Sequence, residues 1–162
     1  MAKDVSGNEY LQRAIALGDQ AQGSTGDNPW VGCVIVKDGV VIGEGSTGAP
    51  GAPHAEAAAV LAAEAAGHSL EGATVYCTLE PCSFHGRTPS CAKTLVAKKV
   101  ARVVMGIRDP HPRVDGAGIK ILTDAGIMVE EGFCHKEIEA SLAPWLERTL
   151  ENKNNPEKKS VG

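Results

Sequence analysis

The chain has 162 residues, a formal net charge of −4 at pH 7 and a hydrophobic content of 43%. This length fits one domain with a core of its own. Because aromatic residues make up only 4% of the chain, that core must consist mainly of aliphatic side chains. The acidic balance argues against a broad basic face for duplex nucleic acid.

The chain has five cysteines, an odd number, so they cannot all pair with one another. The sequence has no positively charged start followed by an apolar run, and no apolar stretch approaches the length of a membrane span. We therefore expect a reducing, cytoplasmic location, where spaced cysteines more often bind metal than pair. Cys33 and Cys77 lie in apolar runs and are interpreted as core residues.

Hydrophobic periodicity and turn residues predict a hairpin followed by alternating helices and strands. Asp38-Gly39 between two apolar runs is typical of a hairpin turn. The alternation after the hairpin predicts a three-layer α/β/α sandwich around a mixed, mostly parallel five-stranded sheet. In chain order, the sequence predicts helices over 8–22, 55–66, 91–99, 118–125 and 137–150, and strands over 31–36, 40–45, 74–79, 101–107 and 127–129.

The C-terminal part of the sequence carries two further expectations. Pro144 is predicted to break the last helix, because proline lacks the N–H that an interior helical position donates. Residues 1–150 are predicted to form one domain, followed by a polar tail without fixed structure over residues 151–162.

Three potential metal ligands lie at the predicted ends of helices and strands. His54 opens one helix, Cys82 follows a strand, and Cys91 opens the next helix. Each residue alone is typical of a cap or a core position, but two neighbouring helix N-termini can direct all three side chains to one point. One imidazole and two thiolates leave an open fourth position on Zn²⁺. Glu56, two residues after the histidine, is then the candidate for proton transfer.

These residues resemble the motifs of the zinc-dependent cytidine and deoxycytidylate deaminase superfamily, His-x-Glu followed by Pro-Cys-x-x-Cys. The spacing between Cys82 and Cys91 is longer here, and this longer form resembles the deaminase domains of the RibD family of riboflavin biosynthesis proteins. The similarity continues through residues 27–39, 108–110 and 116–118. The resemblance implies the cytidine deaminase-like fold.

The resemblance also implies a reaction. Zn²⁺ held by His54, Cys82 and Cys91 would lower the pKa of a bound water, and Glu56 would carry its proton to the ring nitrogen and the departing ammonia. The substrate implied is diaminohydroxyphosphoribosylaminopyrimidine.

Substrate contacts follow from the same resemblance. Asn28 and the backbone N–H of Ala55 would bind the pyrimidine, and Arg87 would bind the phosphate. His85 and His111 flank the predicted pocket and are further candidates.

Three residues depart from the family pattern and keep a second substrate class open. Thr47 and Phe84 stand where the family has histidines near the pyrimidine and the phosphate, and His111 replaces an asparagine. The alternative is deamination of a different base, nucleoside or pterin-like ring.

Other interpretations fit the sequence less well. Editing of tRNA or single-stranded DNA conflicts with the acidic balance, and a structural zinc module would need a fourth protein ligand. The family commonly self-associates, so a homodimer or homotetramer is expected by resemblance. The reductase domain of bifunctional family members has no counterpart in these 162 residues. A stand-alone deaminase and a piece of a longer protein therefore both stay open.

Overall fold

The computed structural model describes residues 3–26, 28–82, 90–108 and 116–154. Within these ranges, no helix combines the length and the apolar character needed to cross a bilayer. The elements are α1 (Lys3–Ala21), β1 (Gly32–Lys37), β2 (Val40–Ser46), α2 (Ala55–Ala65), β3 (Thr74–Leu79), α3 (Cys91–Ala97), β4 (Arg102–Ile107), α4 (Ala117–Asp124), β5 (Met128–Glu130) and α5 (His135–Asn154).

The five strands form one sheet in the order β2-β1-β3-β4-β5. β1 pairs antiparallel with both of its neighbours, whereas β3, β4 and β5 pair in parallel. Four strands therefore run in one direction and β1 runs against them. This confirms the predicted mixed sheet and the hairpin that begins it.

Helices cover both faces of the sheet. Along β1, Val34 and Val36 pack in the cluster that contains side chains of α1, while Cys33 and Ile35 pack in the cluster that contains side chains of α2. Successive strand residues point to opposite faces, so α1 and α2 lie on opposite sides of the sheet. α5 shares the side of α1, and α3 and α4 share the side of α2. The three-layer architecture is confirmed.

Glycines in β2 let α2 lie directly against the strand. A Cβ atom built on Gly43 would approach the Ala59 carbonyl oxygen to 2.4 Å, and one on Gly45 would approach the Ala55 carbonyl oxygen to 2.5 Å. Both distances are too short for real atoms, so only glycine permits this contact. The first turn of α2 is thereby held over the carboxyl end of β2.

The predicted break at Pro144 is wrong, because α5 runs through this residue as one helix. Proline removes one backbone hydrogen bond from a helix interior. Buried Leu142 and Trp145, on either side of it, anchor both halves of the helix in the core. The indole N–H of Trp30 also donates to the carbonyl oxygen of Ser141 at 3.0 Å. These tertiary contacts offset the lost bond.

The ends of the chain differ from the predicted bounds. α1 begins at Lys3, five residues before the predicted start, and α5 extends to Asn154. The helix therefore passes the predicted domain boundary at residue 150. Residues 155–162 lie outside the described residues, and the division into one domain and a tail stays a prediction.

The close contact between α2 and β2 predicts a stability loss on Gly45→Ala. The added methyl would lie 2.5 Å from two backbone atoms of α2, and overpacking of this kind costs about 1–3 kcal/mol. Urea denaturation should show this decrease in the free energy of unfolding. Val40→Ala is the control, since Val40 is an exposed residue of the same strand and should change stability by less than about 0.5 kcal/mol. Equal stability of the two variants would contradict the packing described.

Candidate active site

The start of α2 presents His54 and Glu56 at the edge of the sheet. His54 is the N-cap residue, with extended backbone angles, and its side chain makes no capping hydrogen bond. The imidazole is therefore available for other contacts. Glu56 lies in the first turn of the helix and its side chain is buried.

The start of α3 positions both cysteines. Ser90 caps the helix by accepting the N–H of Lys93, and its hydroxyl donates to the Cys82 carbonyl oxygen at 2.9 Å. The same carbonyl accepts the N–H of Ala92 at 3.0 Å. The chain after β3 is thus fixed to the first turn of α3, and Cys91 is the first residue of that helix.

The three predicted ligands meet at one point. The Nδ1 atom of His54 lies 3.7 Å from the Cys82 sulfur and 3.5 Å from the Cys91 sulfur, and all three donor atoms lie within 4.8 Å of one another. Tetrahedral zinc with ordinary Zn–N and Zn–S bonds would separate a nitrogen and a sulfur ligand by about 3.6 Å. The donor set therefore fits zinc in both chemistry and spacing. In the described part of the chain this is the only such group of three or more potential ligands.

Negative charge in the cluster is concentrated on Cys82. Hydrogen bonds from the Cys91 thiol, from His54 and from the Cys91 backbone N–H lower the pKa of Cys82 to about 4. The pKa of Cys91 is raised, because its thiol donates to the Cys82 sulfur and is buried. Two adjacent thiolates repel each other, and a divalent cation between them would stabilise both. The arrangement therefore favours metal binding.

Glu56 is suited to proton transfer. Burial raises the pKa of this carboxyl group to about 7, and the negative charge on Cys82 contributes to the same shift. A group whose pKa lies near neutrality both accepts and returns protons efficiently. The charges of Cys82 and His54 also act on its pKa, so the carboxyl group lies beside the ligand cluster.

Some of the predicted substrate residues lie in the described part of the chain, and others lie outside it. Asn28 lies in the loop between α1 and β1, which packs through Gly26 against Pro50 in the loop that leads to His54. Ala55 is the first residue of α2, where N–H groups have no intrahelical partner. Arg87, His85 and His111, together with Phe84, lie outside the described residues, so their roles stay predictions.

Thr47 has a structural contact in addition to its predicted role. Its hydroxyl accepts the N–H of Val31 at 3.0 Å and lies 3.5 Å from the carbonyl oxygen of the same residue. The side chain is buried and ties the end of β2 to the start of β1. Its contribution to substrate binding stays a prediction.

Two buried polar residues near the site were missed from the sequence. Thr78 accepts the N–H of Gly32 at 3.3 Å, and Glu80 accepts N–H groups at the start of α4. An acidic residue directly after an apolar strand and just before Pro-Cys was the available signal for Glu80. Its partners are far away in sequence, so the pattern alone could not identify them.

Comparison with known proteins gives the family. A family model described as the cytidine and deoxycytidylate deaminase zinc-binding region matches residues 5–107, which include the three ligands and Glu56. The chain belongs to this family. The predicted superfamily is therefore confirmed.

The chain is similar to RibD proteins, both in sequence and in structure. The chain is 48% identical over 139 residues to RibD of Escherichia coli, an alignment that covers 86% of this chain and 37% of the relative. A solved structure of Acinetobacter baumannii RibD matches with a TM-score of 0.86 and 44% identity, covering 91% of this chain and 41% of that one. The chain therefore spans about a third of the length of the curated relatives that it matches.

A second solved structure is also similar to this chain. The Thermotoga maritima protein described as a diaminohydroxyphosphoribosylaminopyrimidine deaminase and 5-amino-6-(5-phosphoribosylamino)uracil reductase matches with a TM-score of 0.87 and 35% identity. The match covers 93% of this chain and 43% of that one. These structures confirm the predicted cytidine deaminase-like fold.

The geometry predicts that zinc content depends on the three ligands. His54→Ala, Cys82→Ala and Cys91→Ala should each lose most of the metal after dialysis against a weak chelator, whereas the unmodified chain should keep about one equivalent. Elemental analysis by mass spectrometry measures this directly. Cys134→Ala is the matched control, since this cysteine lies outside the cluster. Full zinc content in all four variants would contradict the assignment.

Proposed function

We propose that this chain is a zinc-dependent aminohydrolase that deaminates diaminohydroxyphosphoribosylaminopyrimidine in riboflavin biosynthesis. The observation that carries the proposal is the buried Glu56, whose carboxyl group interacts with His54, Cys82 and Cys91 of the cluster. The names of the relatives, matched over most of this chain, support the choice of substrate.

Three residues would hold the metal, and three donors leave one coordination position for a small molecule. His54 Nδ1 and the sulfurs of Cys82 and Cys91 are the proposed ligands. When bound, zinc supplies a Lewis acid that activates water near neutral pH.

Glu56 would perform the proton transfers. Water adds to the ring carbon that bears the amino group, and its proton passes to the Glu56 carboxylate. The carboxyl group gives this proton to the ring nitrogen, then takes the proton of the new hydroxyl group and gives it to the amino group. The bond between the ring carbon and the amino nitrogen breaks, ammonia leaves, and the carbon keeps a carbonyl oxygen. Because burial raises the pKa of Glu56 to about 7, neither protonation state is strongly favoured at neutral pH.

The protein surface around this centre would orient the ring. The N–H of Ala55, at the start of α2, and the side chain of Asn28 are the proposed contacts to the pyrimidine. Arg87 is the proposed phosphate contact, since a guanidinium binds phosphate oxygens in a bidentate manner. His85, His111 and Thr47 stay candidates for further contacts.

Replacement of Glu56 by glutamine should separate metal binding from turnover. Glu56→Gln removes the group that moves protons and keeps the side-chain volume, so kcat should fall about 10²- to 10⁴-fold while zinc content is unchanged. Ammonia release and metal content are the two measurements.

Glu64→Gln is the matched control for this experiment. It lies on the same helix and pairs with Lys98 at the surface, so its turnover should equal that of the unmodified chain. Undiminished turnover of Glu56→Gln would contradict the proton-transfer role.

The substrate is tested by a panel of amino-heterocycles. Ammonia release from the phosphoribosylaminopyrimidine should exceed that from its dephosphorylated form, from cytidine and deoxycytidylate, and from amino-pterins. Arg87→Ala should raise KM for the phosphorylated compound and leave KM for the dephosphorylated one unchanged, because only the former offers the anionic oxygens that the guanidinium binds. Faster deamination of a nucleoside or a pterin would favour the alternative substrate class.

Cytoplasmic location and assembly into a homodimer or homotetramer also stay predictions. Size-exclusion chromatography with light scattering measures the assembly state without reference to activity.

A further inference from the structure

Glu80 directly follows β3 and precedes the proposed zinc ligand Cys82 by two residues. Its backbone N–H donates to the Ile107 carbonyl oxygen at 3.0 Å, which extends the pairing of β3 with β4 by one residue. Its side chain is 3% exposed. This buried acidic residue takes no part in the proposed metal binding or proton transfers.

The carboxylate of Glu80 binds the start of α4. One oxygen accepts the N–H of Gly116 at 3.0 Å, and the other accepts the N–H groups of Gly118 and Ile119 at 2.9 and 3.3 Å. The first N–H groups of a helix lack intrahelical partners, and the N-cap residue of α4 is a glycine without a side chain. Glu80 therefore caps α4 from a different part of the chain.

The backbone next to Glu80 is in close contact with the same helix. A Cβ atom on Gly118 would lie 2.0 Å from the carbonyl oxygen of Pro81, so the two backbones touch. The following residue, Cys82, is held from the other side by the N–H of Ala92 in α3. The Glu80–Cys82 segment is thus fixed between the N-termini of two helices.

We propose that Glu80 is a positioning residue of the zinc site, which fixes the Cys82 sulfur by binding the Pro81–Cys82 segment to the start of α4. The inference rests on the proposed zinc site. In a Glu80→Gln variant, an amide NH₂ would face N–H donors, so at least one bond would be lost and α4 would separate from Pro81. Cys82 would then need to be ordered when metal binds, which lowers affinity.

Zinc affinity tests this role more directly than stability does. The affinities of the unmodified chain, Glu80→Gln and Leu122→Ala would be compared by chelator competition. Leu122 is a fully buried residue of α4, and its truncation loosens the helix without touching Glu80. We expect Glu80→Gln to weaken zinc binding about 10- to 100-fold, the range seen when groups that orient metal ligands are removed. Leu122→Ala should leave the affinity unchanged.

A second readout needs no metal. Hydrogen exchange of the Gly118 and Ile119 amides, measured in chelator-treated protein, should become faster in Glu80→Gln than in Leu122→Ala. Equal affinities for Glu80→Gln and the unmodified chain, or equal losses in both variants, would overturn the inference. If Glu80→Gln does not fold, Glu80→Asp takes its place, since it keeps the carboxylate on a shorter side chain. Its zinc affinity would be compared with those of the unmodified chain and Leu122→Ala, and the same two results would overturn the inference. Absence of zinc binding by the unmodified chain would instead refute the proposed zinc site.

Discussion

The docking of the chain after β3 onto the first turn of α3 is the contact on which the rest of the site depends. The Cys82 carbonyl oxygen accepts two hydrogen bonds there, from Ser90 and Ala92, and the Cys91 N–H points at the Cys82 sulfur. This places both sulfurs beside the histidine that opens α2. α2 itself is held in position by its backbone contact with the glycines of β2. Two helix starts and one strand end therefore converge at one edge of the sheet, where ligands bind in many α/β folds.

Charge interactions among the side chains that meet at this edge explain the chemistry of the site. The close approach of a buried carboxyl group, the buried Cys91 sulfur and the half-buried Cys82 sulfur disfavours their simultaneous ionisation. The pKa of Glu56 is accordingly raised to about 7, and that of Cys91 is also raised. A divalent cation would relieve the repulsion between the sulfurs, and its positive charge would favour the carboxylate form of Glu56 that accepts a proton. The close approach of the sulfurs therefore favours metal binding, and the proposed proton-transfer group, Glu56, is a buried carboxyl group beside them.

Local patterns in the sequence were sufficient for most of the fold and for the clustering of the three proposed ligands. β3 has the predicted bounds, and the Asp38-Gly39 turn forms the predicted hairpin, because turn chemistry and apolar runs act over short distances. The ligand cluster was predictable since the motif residues lie at element ends that the sheet topology brings together.

The errors and omissions involve contacts between distant parts of the chain. Pro144 does not break α5, because the indole of Trp30 and buried neighbours in the core offset its missing hydrogen bond. Glu80 was missed because its partners belong to the start of α4. Thr47 was considered only for substrate binding, yet its hydroxyl also bonds the backbone of Val31. A pattern of residue types cannot show such partners.

The X-ray absorption spectrum of the zinc-loaded protein shows directly whether His54, Cys82 and Cys91 hold the metal. We expect one nitrogen ligand at about 2.0–2.1 Å, two sulfur ligands at about 2.3 Å and one further oxygen ligand from solvent. Loss of one sulfur in Cys82→Ala and in Cys91→Ala would identify the donors. A shell of four protein ligands, or one without sulfur, would contradict the proposed zinc site.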